Sequence, residues 1–184
     1  MERATSNWPK CSFFTKPISN THPSDELTLL DVYNYIVGDK AKEATSKLRN
    51  LSDVEAARNF KANNFDYITP SGTFSKRSDK CLKEHSQIIN IDFDHVKELE
   101  KLRQQLLADE YFDTQLLFVS PSGDGLKWFI EIDLSKASHV DYFRAIANYL
   151  KQTYNVEVDQ SGKDISRACF LPHDPNCYIN PKYL

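Results

Sequence analysis

Gln87–Val96 reads QIINIDFDHV, and the fold turns on how this stretch is read. As a strand it points alternate side chains to opposite faces. Ile89, Ile91 and Phe93 then share one face, ready to pack into a core. Ile88, Asn90, Asp92 and Asp94 share the other, which sets two carboxylates side by side at the strand end. Their Cα atoms lie about 7 Å apart, twice the strand rise, and two anions so placed repel unless water or a cation intervenes. Hard carboxylate oxygens in such a pair suit Mg²⁺ or Mn²⁺. A D-x-D at a solvated strand end looks the same in isolation, so the surrounding chain has to decide.

Downstream, Val96, Leu99, Leu102, Leu106 and Leu107 follow helical spacing and predict an amphipathic helix over 96–108. TQLLFVS and LKWFIEIDL, joined by the glycine-containing turn PSGDG, predict a hairpin. Ser138 with Asp141 caps a helix carrying Val140, Phe143, Ile146, Ala147 and Leu150. NVEVD reads as a short strand and SRACFL as the last one, before the Pro/Asn-rich PHDPNCYINP. The order from residue 85 on is strand, helix, hairpin, helix, strand, strand. It predicts an α+β sheet with helices over one face and the other face open for substrate.

Upstream, CSFF (Cys11–Phe14) reads as a short strand and the segment around His22, Pro23 and Ser24 as a loop. Thr28 and Asp31 form a capping box for a helix that Gly38 stops. Residues 40–50 are helix-compatible, and Ser52 with Glu55 suggests a second capping box before a helix ending near Phe60. Residues 1–62 are thus a mainly helical layer and 63–184 an α+β core, together one domain. Residues 63–86 are rich in turn formers and carry the basic cluster Lys76, Arg77, Lys80 and Lys83. This cluster is either a solvated face or a phosphate-touching loop.

The 184-residue chain carries a net charge of −3, so any contact with nucleic acid has to come from a local patch. Its 40% hydrophobic and 27% charged content is that of a core-forming globular chain. Cys11, Cys81, Cys169 and Cys177 show no C-x-x-C spacing. With no long apolar run, they read as reduced thiols of a cytoplasmic protein with no membrane partner.

Two further stretches are candidates for chemistry. In SPSGDGLK, Gly123 and Gly125 permit close backbone approach, Ser120 and Ser122 offer hydroxyls, and Lys127 offers an ammonium for phosphate. An ordinary hairpin turn has the same composition. In VEVDQSGKDISRACFLPHDP, Asp159 is a candidate third carboxylate, with Asp164 as competitor or as a partner that orients Arg167. The guanidinium of Arg167 suits phosphate. His85, His95 and His173 fit surface roles, and Cys169 fits the core.

Together, IINIDFDHV, FVSPSGDGLK and VDQSGKDISRACFLPHDP, with ITPSGTFSKR and EHS upstream, resemble the archaeo-eukaryotic primase (primase-polymerase) superfamily. The resemblance is to its VirE-like N-terminal domain branch of Bacteroidetes and mobile elements. Asp92 and Asp94 match its D-x-D, and Val158–Asp159 its hydrophobic-Asp motif. Lys127 stands where its S-x-H histidine is expected. The resemblance implies an RRM-like palm and metal-dependent nucleotidyl transfer in replication of a chromosome or mobile element. Asp92, Asp94 and Asp159 (or Asp164) would hold two Mg²⁺ or Mn²⁺ ions. Ser120, Ser122, Gly123, Gly125, Lys127 and Arg167 would bind a nucleotide triphosphate, and Lys76 and Arg77 a DNA or RNA template.

On this reading, removing one carboxylate abolishes transfer and leaves the fold intact or slightly more stable, because repulsion is relieved. A helicase module, fused or separate, is the expected partner. The ending PNCYINPKYL fits a piece of a longer protein and a short stand-alone one equally. The alternatives are a non-catalytic nucleotide- or DNA-binding module on the same fold, a metal-dependent nuclease, and an interaction domain with incidental aspartates.

Overall fold

A computed structural model describes residues 8–184. β1 (Lys10–Phe14) and β2 (Asp25–Thr28) are followed by α1 (Leu29–Val37), α2 (Lys42–Arg49) and α3 (Val54–Asn64). Then come β3 (Tyr67–Thr69), β4 (Gly72–Phe74), β5 (Leu82–His85) and β6 (Ile88–Phe93). The remainder is α4 (Leu99–Leu107), β7 (Thr114–Val119), β8 (Leu126–Glu131), α5 (His139–Tyr154), β9 (Cys169–Phe170) and β10 (Tyr178–Ile179). The molecule is α+β, with antiparallel sheets.

Helix starts follow local side-chain chemistry. Thr28 accepts the Asp31 N–H while the Asp31 carboxylate accepts the Thr28 N–H, the reciprocal box expected for α1. Ser138 accepts from the Asp141 N–H at the head of α5. The second expected box is replaced by one residue. Asp53 caps α3 by accepting the Ala56 N–H, and the helix runs on to Asn64 rather than stopping near Phe60.

β6 lies at the edge of a four-stranded sheet of order β10-β7-β8-β6. Its alternation sorts residues as the pattern predicts. Ile89, Ile91 and Phe93 join Leu117, Trp128 and Ile130 beneath Leu102 and Leu106 of α4 and Phe143, Ile146 and Leu150 of α5. Ile88 points the other way, with Leu116, Phe118 and Phe129. The sequence suggested that this second face would be open to substrate, but it is covered. It packs on Cys11, Phe13, Leu29, Val32, Ile36 and Ile68, from α1 and a second sheet of order β2-β1-β3-β9. Burying each of these large side chains contributes about 1.5–3 kcal/mol, so both faces of the sheet are more favourable covered than bare.

The second sheet corrects the reading of the front of the chain. β1 is an inner strand between β2 and β3, and β2 follows directly on the expected loop. Residues 63–86, read as turns, hold three short strands, with β3 paired to β1 and β9 and β4 paired to β5. Their apolar residues Tyr67, Ile68 and Phe74 are buried, each flanked by turn formers that mask a two-residue period. Beyond α5, NVEVD forms no ladder. The chain runs extended past β6, gives one bond from the Asp159 N–H to the Asp92 carbonyl at 3.0 Å, and turns away into a 3-10 turn at Gln160–Lys163.

β6, α4 and β7 form a βαβ unit with β8 inserted between its two strands. Because of the register of this insertion, Asp92 lies directly opposite Lys127. No helix among the described residues is long and apolar enough to cross a membrane.

Candidate functional site

Asp92 and Lys127 are cross-strand partners, close enough for a long side chain to fold back on its neighbour. The Lys127 ammonium sits 2.6 Å from Asp92 Oδ2, and the two side chains are 12% and 2% exposed. Asn90, two residues back on the same face, donates from Nδ2 to Asp92 Oδ1 at 2.7 Å. Both carboxylate oxygens therefore hold a donor from the chain itself, as a buried anion requires. Burial alone would lower the pKa of Lys127, but the Asp92 carboxylate outweighs it and holds the ammonium above its ordinary value.

Asp159 is saturated in its own way. Its Oδ1 accepts the Ser161 N–H at 2.9 Å, and its Oδ2 takes the Ser161 hydroxyl at 2.6 Å and Arg167 Nη2 at 2.7 Å. Burial acts to raise its pKa, but the Ser161 hydrogen bonds and the nearby Arg167 and Lys127 charges win and lower it. The carboxylate caps the 160–163 turn and anchors Arg167, while its backbone is bonded to that of Asp92.

A cleft of about 400 Å³ opens at this end of β6, lined by Lys61, Arg77, Asp92, Asp94, Lys127, Asp164, Ser166 and Arg167, with Ile18, Ala168 and Phe170 as apolar wall. Four cationic and three anionic side chains meet here in a chain whose net charge is −3. Asp94 and Asp164 are exposed, so their oxygens are accessible to a ligand. Of the two candidates for a third carboxylate, Asp164 lines the cleft and Asp159 stands behind it, holding Arg167. Two roomier clefts, around Trp8–Lys10 and along Lys97–Lys101, bring together no comparable set of charges on β6 and β8.

Arg77 lines the cleft and Lys76, exposed beside it, does not. The Arg77 guanidinium lies over the Tyr67 ring, 5.2 Å from its centroid, and donates from Nη2 to the Ile18 carbonyl at 3.2 Å. Its Nε, like that of Arg167, is buried without an acceptor. The serine–glycine turn lies off the cleft. Its Ser120 N–H goes to the Gly125 carbonyl and its Gly123 N–H to the Ser120 carbonyl, and Arg49 of α2 donates to the Ser120 and Pro121 carbonyls. Ser120 is buried and Ser122 exposed. Gly123 has a φ of 87°, a conformation that favours glycine. A Cβ on Gly125 would meet the Phe93 carbonyl oxygen at 2.2 Å, so this glycine seats the turn against the end of β6.

Sequence reasoning missed Lys61, which reaches the cleft from the last turn of α3. Burial, then the Lys127 charge, lowers its pKa. Nothing in the local pattern of α3 sets this lysine apart from its solvated neighbours. The remaining candidates have structural partners. His95 pairs with Asp124 at 2.6 Å, and the His173 backbone N–H donates to Thr45 Oγ1 at 2.9 Å while its Nδ1 meets the Gly38 carbonyl at 2.8 Å. All four cysteines are free, and Cys169 is buried as expected. Among the described residues no three His, Cys, Asp or Glu side chains form a ready metal-holding group. The oxygen donors at the cleft nonetheless suit a hard divalent ion in kind, and the Lys127 ammonium already occupies Asp92 Oδ2.

Fold and site together define an α+β domain with a buried carboxylate–ammonium pair at the head of a mixed-charge cleft. A family model described as BT4734-like, N-terminal domain matches residues 59–179, and the chain belongs to that family. The matched region includes every charged residue lining the cleft. No curated protein and no solved structure matches the chain.

Proposed function

We propose that this domain is a primase-polymerase-like nucleotidyltransferase, in which the cleft at the end of β6 binds the phosphates of a nucleotide triphosphate beside a nucleic-acid template. The observation that carries the reading is the meeting of Asp92, Asp94 and Asp164 with Lys61, Arg77, Lys127 and Arg167 in one cleft. A cleft of this size takes one nucleotide. The strand order supports the RRM-like palm: β8 lies between β6 and β7 of a βαβ unit, and Asp159 is bonded through its N–H to the Asp92 carbonyl on the free edge of β6.

In this reading Asp92, Asp94 and Asp164 would hold Mg²⁺ or Mn²⁺. Bound there, such an ion would supply activation of an attacking 3′-hydroxyl and charge stabilisation of a departing pyrophosphate. The chain's own groups do the rest. Arg77 and Arg167 present planar donors to phosphate oxygens, Lys61 adds charge from the α3 side, and Asn90 fixes the rotation of the Asp92 carboxylate. Asp159 holds Arg167 in position, and the apolar wall of Ile18 and Phe170 borders the cleft where a base or sugar would lie.

The test is primer extension on a DNA or RNA template with labelled nucleotides and Mn²⁺. Asp94→Asn is the informative variant, because Asp94 is exposed and its loss leaves the core alone. Product from the wild type and a loss of about a hundredfold or more in the variant is expected; undiminished product from the variant refutes the assignment. The non-catalytic alternative is favoured by one observation, that Lys127 closes Asp92 from within. It predicts nucleotide binding without product.

A further inference from the structure

We propose that Lys127 is the resident counter-ion of Asp92, and that a divalent cation reaches this carboxylate only by displacing the Lys127 ammonium into the cleft. The inference rests on the metal-dependent reading above and adds a means of regulation to it.

The geometry leaves little choice. Asp92 is 2% exposed, its Oδ1 is turned to the Asn90 amide, and its Oδ2 carries the ammonium at 2.6 Å. Mg²⁺ binds a carboxylate oxygen directly at about 2.0–2.1 Å, and Lys127 lines the same cleft as Asp92. Two cations on one oxygen would lie within a few ångströms of each other and repel strongly. Lysine is suited to moving aside, being a point charge on a flexible four-carbon stem. Once displaced, its ammonium enters a cleft that already holds Lys61, Arg77 and Arg167. That crowding is relieved when a polyanion is present, so entry of the cation and of a triphosphate are coupled, each favouring the other.

The experiment titrates the full chain with Mn²⁺ alone, reading free Mn²⁺ by electron paramagnetic resonance and stability by thermal melting. The proteins are wild type, Lys127→Met, Lys127→Gln and Lys127→Arg. The glutamine variant keeps a hydrogen bond to Asp92 without the charge, which guards against a methionine variant that does not fold. Loss of the charge is expected to tighten Mn²⁺ binding about tenfold or more and to enlarge the Mn²⁺-induced rise in melting temperature. Lys127→Arg should stay near wild type. Adding Asp94→Asn to the neutral variants should remove the gain, locating the ion in this cleft. Equal or weaker Mn²⁺ binding in both neutral variants overturns the inference alone. No Mn²⁺ uptake by any of the proteins overturns it together with the metal-dependent reading.

Discussion

The buried Asp92 carboxylate has a neighbour on each oxygen, one from its own strand and one from across the ladder. Like-charge repulsion between Asp92 and Asp94, the expectation from sequence, is therefore not the dominant force on it. Removing one partner of a buried ion pair leaves the other uncompensated, which destabilises by about 3–5 kcal/mol. Asp92→Asn should accordingly lower stability by about 3 kcal/mol in urea denaturation, whereas Asp94→Asn, at an exposed position, should stay within about 0.5 kcal/mol. A second, partly buried pair makes a prediction in pH. The Gln87 N–H donates to His85 Nδ1 at 2.9 Å, and His85 Nε2 faces His139 Nδ1 at 3.2 Å, an arrangement for two neutral rings. Burial, helped by the His139 ring, pushes the pKa of His85 down from 6.5 to about 4, and burial lowers His139 too. Between those values the unfolded chain binds more protons than the folded one, so stability rises with pH. The melting temperature should be steady above pH 6.5 and fall as pH drops from 6.5 towards 4, with a shallower fall in His85→Gln. At this scale the aspartates, Lys127 and Arg167 were legible because charge stands out within apolar or glycine-rich stretches. Lys61 was not, since a lysine on a polar helix gives no sign of which way the helix faces.

At the scale of elements, the β7–β8 turn does its work through packing. Because a Cβ at Gly125 would meet backbone on β6, Gly125→Ala should push β8 from β6 and loosen the Asp92–Lys127 register. We expect a loss of about 2–3 kcal/mol in chemical denaturation, together with weaker nucleotide binding; retention of both would show that the turn has room the structure does not allow it. The long periodic elements were readable in advance: β6 from its alternation, α1 and α5 from their caps, the hairpin from its glycines. Of the short ones, β1 and β9 were readable from CSFF and SRACFL, and the others were not. β3, β4 and β5 contain three or four residues each, too few for a period to declare itself, and they form because β1, β9 and each other supply partners distant in sequence. NVEVD had the pattern of a strand, but Asp159 caps a turn and takes the chain out of the ladder.

Across the whole molecule, the sheet containing β6 separates two cores, one under α4 and α5 and the other shared with α1 and the β1–β3 strands. Composition could not show that both faces would be covered, because this depends on a strand near the N-terminus returning to lie beside residues 67–69. The consequence is cooperativity. Calorimetry should show one transition with equal calorimetric and van't Hoff enthalpies, and a fragment lacking residues 1–58 should fail to fold, since it lacks Phe13, Phe14, Leu29, Val32 and Ile36 from the buried set. Cleft and core are tied together by the same strand: β6 packs both cores along its length and delivers Asp92 at its end. The measurement that tests this account most directly is a crystal structure with Mn²⁺ and a non-hydrolysable nucleotide triphosphate. The account predicts anomalous density on Asp92 and Asp94, Lys127 turned away from Asp92, and the triphosphate held among Lys61, Arg77 and Arg167. A nucleotide bound elsewhere, with Lys127 still on Asp92, would contradict it.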